Sequence, residues 1–170
     1  MNKVFFDLEW NTGFLDGNSF DEIIEIGAVK TDEEYRQIDG FRRLIRPVIY
    51  RKMNPYIQKI LAITMKDLQG EEPLASVAKA FFDWCGDCDT LIAWSGNDFG
   101  VLEKNLAHIG MKIPEQLGRY DVQMAYAYRT ENSIRNYALK AAVEAMELPE
   151  PEGQEYHDCL LYTSPSPRDK

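Results

Sequence analysis

Strands come first in this chain and helices after, and that order limits its fold more than any other feature. Val4-Phe5-Phe6-Asp7-Leu8 is an apolar, aromatic run that predicts a buried strand. Residues 12–21 hold two Gly with Asn, Ser and Asp, a composition that predicts a loop. Residues 22–30 and 34–46 predict a second and a third strand, with Asp39-Gly40 as a bulge or turn signal inside the third and Pro47 closing it. Short links between three early strands predict an antiparallel meander. Beyond them the apolar spacing turns helical. Asn54-Pro55 opens a short helix at 56–62, Thr64 is placed to cap another brief turn, and Pro73 precedes a helix at 74–85. A short strand at 89–94 leads to a helix at 98–109 that Gly110 stops. A strand near 119–122, helices near 123–129 and 134–147, and a last helix from about Tyr156 complete the chain. Strands followed by helix–strand–helix alternation give an α/β domain around a mixed sheet.

At 170 residues the chain is the size of one domain, able to bury about two thirds of its unfolded surface. With 45% hydrophobic and 12% aromatic residues, wholesale disorder is excluded. The net charge of −9 argues against a purely electrostatic nucleic-acid binder, though not against an enzyme that reaches phosphates through metal ions held by carboxylates. No apolar stretch is long enough for a membrane helix, and MNKVFFDLEW does not read as a secretory signal. Three Cys without an export signal point to free thiols in a reducing, cytoplasmic setting. The last segment, LYTSPSPRDK, breaks with what precedes it. Its prolines cannot continue a helix, and from about residue 161 it reads as translated adaptor or vector sequence. The expected division is a domain over 1–160 and a non-native tail over 161–170.

Asp7-Leu8-Glu9 is the strongest chemical signal. Residues i and i+2 of a strand share a face, so these two carboxylates project side by side. Such a pair at the end of an apolar strand is costly unless a cation sits between them, and hard divalent ions take oxygen ligands of this kind. Alone, the pair also reads as a solvated strand end. Asp98 follows the strand at 89–94 where it hands over to a helix, a common place for ligand sites in α/β sheets. It equally suits a helix cap. His157 lies at the start of the expected final helix.

The ordered segments FDLEW, IIEIGAV, NDFGVL and EYHDCL resemble the 3′→5′ exonucleases of the DEDD superfamily, in the branch with a catalytic His. The stretch Met53-Asn54-Pro55-Tyr56-Ile57 through Ile63-Thr64, then a helix ending Phe82-Asp83-Trp84, is similar to the subgroup that trims histone-mRNA and small-RNA 3′ ends, and to its bacterial relatives. The resemblance spans residues 1–160. It implies a ribonuclease-H-like fold: a mixed sheet, antiparallel in its first three strands, flanked by helices. It further implies two magnesium (or manganese) ions, with Asp7, Glu9 and Asp98 as ligands and His157 as the general base. An imidazole with a pKa near 6.5 is suited to take a proton at neutral pH.

In one position the chain departs from that pattern. The family places its fourth metal-binding Asp five residues after the His, and here that residue is Tyr162. A phenol, neutral at pH 7, does not replace a carboxylate as a magnesium ligand. Asp158 is about 100° round a helix from His157 and points elsewhere. The native C-terminal helix is then missing as well, and the activity is impaired. Three further features stay open. Residues 36–59 carry Arg36, Arg42, Arg43, Arg46, Arg51, Lys52 and Lys59 against Asp39 alone, a phosphate-contacting segment or a solvated face. Trp10 stacks on a terminal base or packs in the core, and Asn11 beside it joins it as a candidate nucleic-acid contact. Cys85 and Cys88 have a zinc or redox spacing but no second pair, so incidental thiols are the better reading. The expected function is a metal-dependent 3′→5′ exonuclease acting on single-stranded RNA or DNA 3′ ends. The alternative is a non-catalytic module that binds a nucleic-acid end or a protein.

Overall fold

A computed structural model describes residues 1–131 and 138–147. Three long strands come first: β1 (Lys3–Leu15), β2 (Asn18–Thr31) and β3 (Gln37–Leu44). Then come α1 (Pro55–Leu61), α2 (Met65–Leu68), α3 (Leu74–Cys85), β4 (Thr90–Ala93), α4 (Gly96–His108), β5 (Gly118–Asp121), α5 (Val122–Glu131) and α6 (Leu139–Ala145). One sheet holds all five strands in the order β3-β2-β1-β4-β5. The β1–β2 and β2–β3 pairs are antiparallel, while β1–β4 and β4–β5 are parallel. This is the mixed sheet expected from the order of elements.

The loop expected over residues 12–21 is a continuation of both strands. β1 and β2 pair all the way to Leu15 and Asn18, and only Asp16-Gly17 turns the chain. Both turn residues have positive φ, 50° and 81°, the backbone of a type I′ turn whose twist matches that of the strands it joins. The Gly, Asn and Ser that marked the segment as a loop therefore sit largely within paired strand. Asp39-Gly40 lies inside the edge strand β3, and the ladder irregularity falls beside it, where Ile38 is skipped between Lys30–Asp39 and Thr31–Gln37.

Alternation along β1 buries Val4, Phe6 and Leu8 on one face. Against that face lie α3, through Leu74, Val77, Ala78, Phe81 and Cys85, and α4, through Phe99, Val101, Leu102 and Leu106. Phe81 is central: its ring neighbours Phe6, Phe41, Phe82 and Trp84. Each such side chain contributes about 1.5–3 kcal/mol by leaving water. A second cluster of Ile24, Met53, Ile57 and Leu68 seats α1 and α2. Thr64 and Asp67 form a reciprocal capping box at the start of α2, where the sequence placed a cap. Helix α3 matches its expected bounds, and α6 is the described part of the helix expected at 134–147. The expected helix from Tyr156 and the tail lie outside the described residues. No helix among the described residues is long and apolar enough to cross a membrane.

Between Glu9 and Trp10 the β1–β2 register shifts: Glu9 pairs with Glu25 and Trp10 with Ile23, so Ile24 is an extra residue. This β-bulge reverses the phase of the rest of β2. It turns Ile23 to the main core and Ile24 to the second cluster. Asn105 of α4 binds the backbone just beyond the bulge. Its buried side chain accepts from the Ile23 N–H at 3.1 Å and donates to the Asp21 carbonyl at 2.7 Å and to the Val101 carbonyl at 2.9 Å. Asn105→Ala leaves strand groups buried without partners. It should lower unfolding free energy by about 2–3 kcal/mol, read from urea midpoints at unchanged slope.

Candidate active site

Odd-numbered residues of β1 occupy the face opposite the main core, so Asp7, Glu9 and Asn11 stand in a row. Their partners on β2 are Gly27, Glu25 and Glu22. On the other side of β1, Phe5 pairs with Ile92, which brings the carboxyl end of β4 level with Asp7. Ser95 ends that strand and caps α4, its hydroxyl accepting from the Asn97 N–H at 3.2 Å. Asp98 is therefore the third residue of the helix and not its cap. It is 2% exposed and Glu9 is 6% exposed. Carboxylates so buried need bonds or a cation to stay there.

The start of α4 is also fixed from the far side. Asp121, at the end of β5, accepts from the Met124 N–H at 2.9 Å and caps α5. Its other carboxylate oxygen lies 2.8 Å from where a Cβ on Gly96 would be, a space that only glycine leaves. The Gln123 N–H reaches the Trp94 carbonyl at 2.8 Å.

The structure places Asp7 and Glu9 together and brings Asp98 in from the adjacent strand end. Among the described residues, no three His, Cys, Asp or Glu side chains gather into a metal-holding group. The donors nevertheless suit magnesium, which takes one or two carboxylates plus substrate phosphate oxygens in place of a full protein cage. His157 and Tyr162 lie outside the described residues.

Asn11 has a different task from the nucleic-acid contact expected of it. Its side chain is buried, donates to the Lys52 carbonyl at 3.1 Å and accepts from the Asn54 N–H at 2.8 Å. Two residues beyond Glu9 on the same face, it ties the 52–54 segment to the rim of the carboxylate row. Glu22 beside it accepts from the Val48, Ile49 and Tyr50 N–H groups at 2.6, 2.7 and 2.9 Å. The Tyr50 ring lies over Gly13, 2.6 Å from where a Cβ would stand, and its hydroxyl donates to the Phe20 carbonyl. Burial, with the charges of Glu22 and Asp21, pushes that phenol above its ordinary pKa. Trp10 falls on the Leu8 face and packs, partly buried, against the main core, as the packing reading had it.

The basic stretch is divided. Arg36 is taken up by Asp32 and Glu34, and Arg42 pairs with Glu25. Arg51 and Lys52 are exposed beside the Asn11 tie. Sequence reasoning missed Glu22 and Glu25. Glu25 carried a signal, as the single acid in the apolar run Ile23–Val29, since a buried acid requires a partner.

Cys85 and Cys88 are buried free thiols. Burial pushes Cys85 up to about 12, with the neighbouring Cys88 adding to it, and burial raises Cys88 as well. A thiol with a raised folded pKa keeps its proton in the fold. Its stabilising contribution is present below pH 9.0 and is lost as pH climbs toward about 12. Both thiols should resist iodoacetamide in the native protein at pH 8 and react fully in denaturant, read by mass spectrometry. Asn11→Ala should cost about 2 kcal/mol and release the 52–54 segment, seen as faster amide exchange there.

A row of acids on a central strand, with a further acid at the end of its parallel neighbour, is a site for metal-assisted phosphoryl chemistry. The family model described as Exonuclease (RNase_T) matches residues 4–160, and the chain belongs to that family of hydrolytic exonucleases. A PolC-type DNA polymerase III from Clostridium perfringens (strain 13 / Type A) is 34% identical over 112 residues, covering 65% of this chain and 7% of the polymerase. The chain thus spans a small fraction of that relative's length. Among solved structures, the nuclease domain of 3′hExo, a DEDDh family member, bound to rAMP aligns with a TM-score of 0.72 at 16% identity, over 89% of this chain and 82% of that one. Cell-death related nuclease 4 gives 0.71 at 14%, over 91% and 57%. E. coli exonuclease I in complex with a dT13 oligonucleotide gives 0.64 at 16%, over 91% and 38%. These likenesses establish the ribonuclease-H-like fold.

Proposed function

We propose that this chain is a metal-dependent 3′→5′ exonuclease domain that shortens single-stranded RNA or DNA from the 3′ end, with RNA favoured. The observation that carries this reading is the same-face pair Asp7 and Glu9 on β1, beside the parallel strand whose end delivers Asp98. Family membership supports it. So do neighbours titled for rAMP, for 3′-end recognition of a histone mRNA stem-loop and for a dT13 oligonucleotide.

In this reading Asp7, Glu9 and Asp98 hold magnesium or manganese, two ions in the intact parent. When bound, the ions supply the charge neutralisation that an in-line phosphoryl displacement needs. His157 accepts the proton of the attacking water, a role suited to an imidazole near neutral pH. The burial of Glu9 and Asp98 strengthens every charge interaction made there. A free 3′ end fits such a site because its terminal nucleotide must reach buried carboxylates, which duplex stacking opposes.

The domain is read as 1–160, in keeping with a family match that ends at residue 160, and 161–170 as a non-native tail. Tyr162 stands where the family pattern calls for the fourth carboxylate, so activity is impaired in the chain as it stands. The buried free thiols Cys85 and Cys88 favour a cytoplasmic setting. Tyr162 is also the observation that favours the second reading, a binding module without catalysis.

A 5′-labelled single-stranded RNA oligonucleotide, with magnesium, with manganese and with EDTA, separates the two. Tyr162→Asp, with a native-like helix following it, should shorten the RNA stepwise from its 3′ end only with metal, at least tenfold faster than the unaltered chain. Asp7→Asn should abolish this. Folded but silent proteins in every arm would overturn the exonuclease reading in favour of the binding module.

A further inference from the structure

Glu25 faces Glu9 directly across the β1–β2 ladder, on the side that carries Asp7. It is 0% exposed, inside a strand that is otherwise apolar from Ile23 to Val29. Side chains directly opposed in an antiparallel pair stand about 4.5–5.5 Å apart at Cβ, so two carboxylates share this place. One strand further out, Gly27 pairs with Arg42 on β3, and Asp7 pairs with Gly27. Asp7, Gly27 and Arg42 thus form one row, with glycine in its middle, and Glu9, Glu25 and Leu44 form the next. Arg42 crosses diagonally between the rows, and its Nε donates to Glu25 Oε1. That bond sets the direction of the arginine: from the outer strand, inward toward the carboxylate face. Half of its side chain remains exposed.

We propose that the Arg42–Glu25 pair is a positioning element that sets the charge of the metal-binding face. The proposal rests on the exonuclease reading above. Asp7, Glu9 and Glu25 would together present three like charges, and Arg42 offsets the one that is not a ligand. A divalent ion at Asp7 and Glu9 then meets two uncompensated carboxylates. The two partners therefore act on metal binding in opposite directions. Without the charge of Glu25, the guanidinium stands uncompensated beside Glu9 and opposes the ion. Without Arg42, a third uncompensated carboxylate attracts it. An ion pair that serves only the fold would behave differently, since losing either partner of a buried pair destabilises the protein and leaves metal affinity alone.

The test is calorimetric titration of the full chain with manganese chloride, together with melting temperature in EDTA, so the readout does not depend on turnover. Glu25→Gln should weaken manganese binding about tenfold, and Arg42→Gln should tighten it by a similar factor. Both should lower the metal-free melting temperature. The double variant Glu25→Gln/Arg42→Gln should return to within about threefold of the unaltered affinity, because the net charge of the face is restored. Arg42→Lys keeps the charge and should leave affinity unchanged, which covers the case in which Arg42→Gln does not fold. Asp7→Asn is the reference. If the unaltered chain shows no Asp7-dependent manganese binding, the metal-site reading fails and this proposal with it. If it binds through Asp7 but the two single variants shift affinity in the same direction or not at all, the proposal alone is overturned.

Discussion

One extra residue in β2 organises most of what surrounds the carboxylate row. Strand side chains alternate with a strict period of two, so an insertion exchanges the two faces for everything beyond it. With Ile24 as that insertion, Glu25 stays opposite Glu9 while Glu22 comes opposite Asn11. An unbulged strand would set Ile23 opposite Asn11 and send Glu22 to the far face. The carboxylate that now holds the Val48, Ile49 and Tyr50 N–H groups would be lost to them. The same insertion gives α1 and α2 their anchor in Ile24 and asks α4 for Asn105 to satisfy the strand backbone.

The connector after β3 is thereby held at several points that do not depend on one another. Glu22 takes its backbone over 48–50, Asn11 takes it at 52 and 54, and the Tyr50 ring fills the space above Gly13. All three attachments come from the distal half of the β1–β2 hairpin. A long hairpin reaching past the carboxylates thus acts as scaffold for a segment that has no strand or helix of its own between Leu44 and Pro55.

Much of this was legible in the sequence, for local reasons. Leu74, Val77, Ala78 and Phe81 repeat at helical spacing, and α3 occupies the bounds they mark. The Thr64 cap lies three residues from its partner Asp67. Asp7 and Glu9 share a face because two residues separate equivalent positions in any strand. What escaped was nonlocal. The loop-like composition of residues 12–21 concealed paired strand, because only the Asp16-Gly17 turn needed those conformations and the other polar residues point to solvent or to tertiary partners. Asn11 finds its partners 41 and 43 residues away, and Asn105 finds its own more than 80 away. No spacing rule announces such pairs, and the bulge hides the parity that would have set Glu22 beside Asn11.

The contact between Asp121 and Gly96 joins the sheet's far edge to its centre in a mechanical sense. One carboxylate stands at the amino ends of two helices, α4 and α5, where the partial positive charge of both favours it. Neither helix start can slide without dragging the other. A push on α5, from a bound strand or from the chain that follows it, would travel through that carboxylate to the first turn of α4 and arrive at Asp98. The outermost strand of the parallel half is thus a lever whose short arm ends in the site.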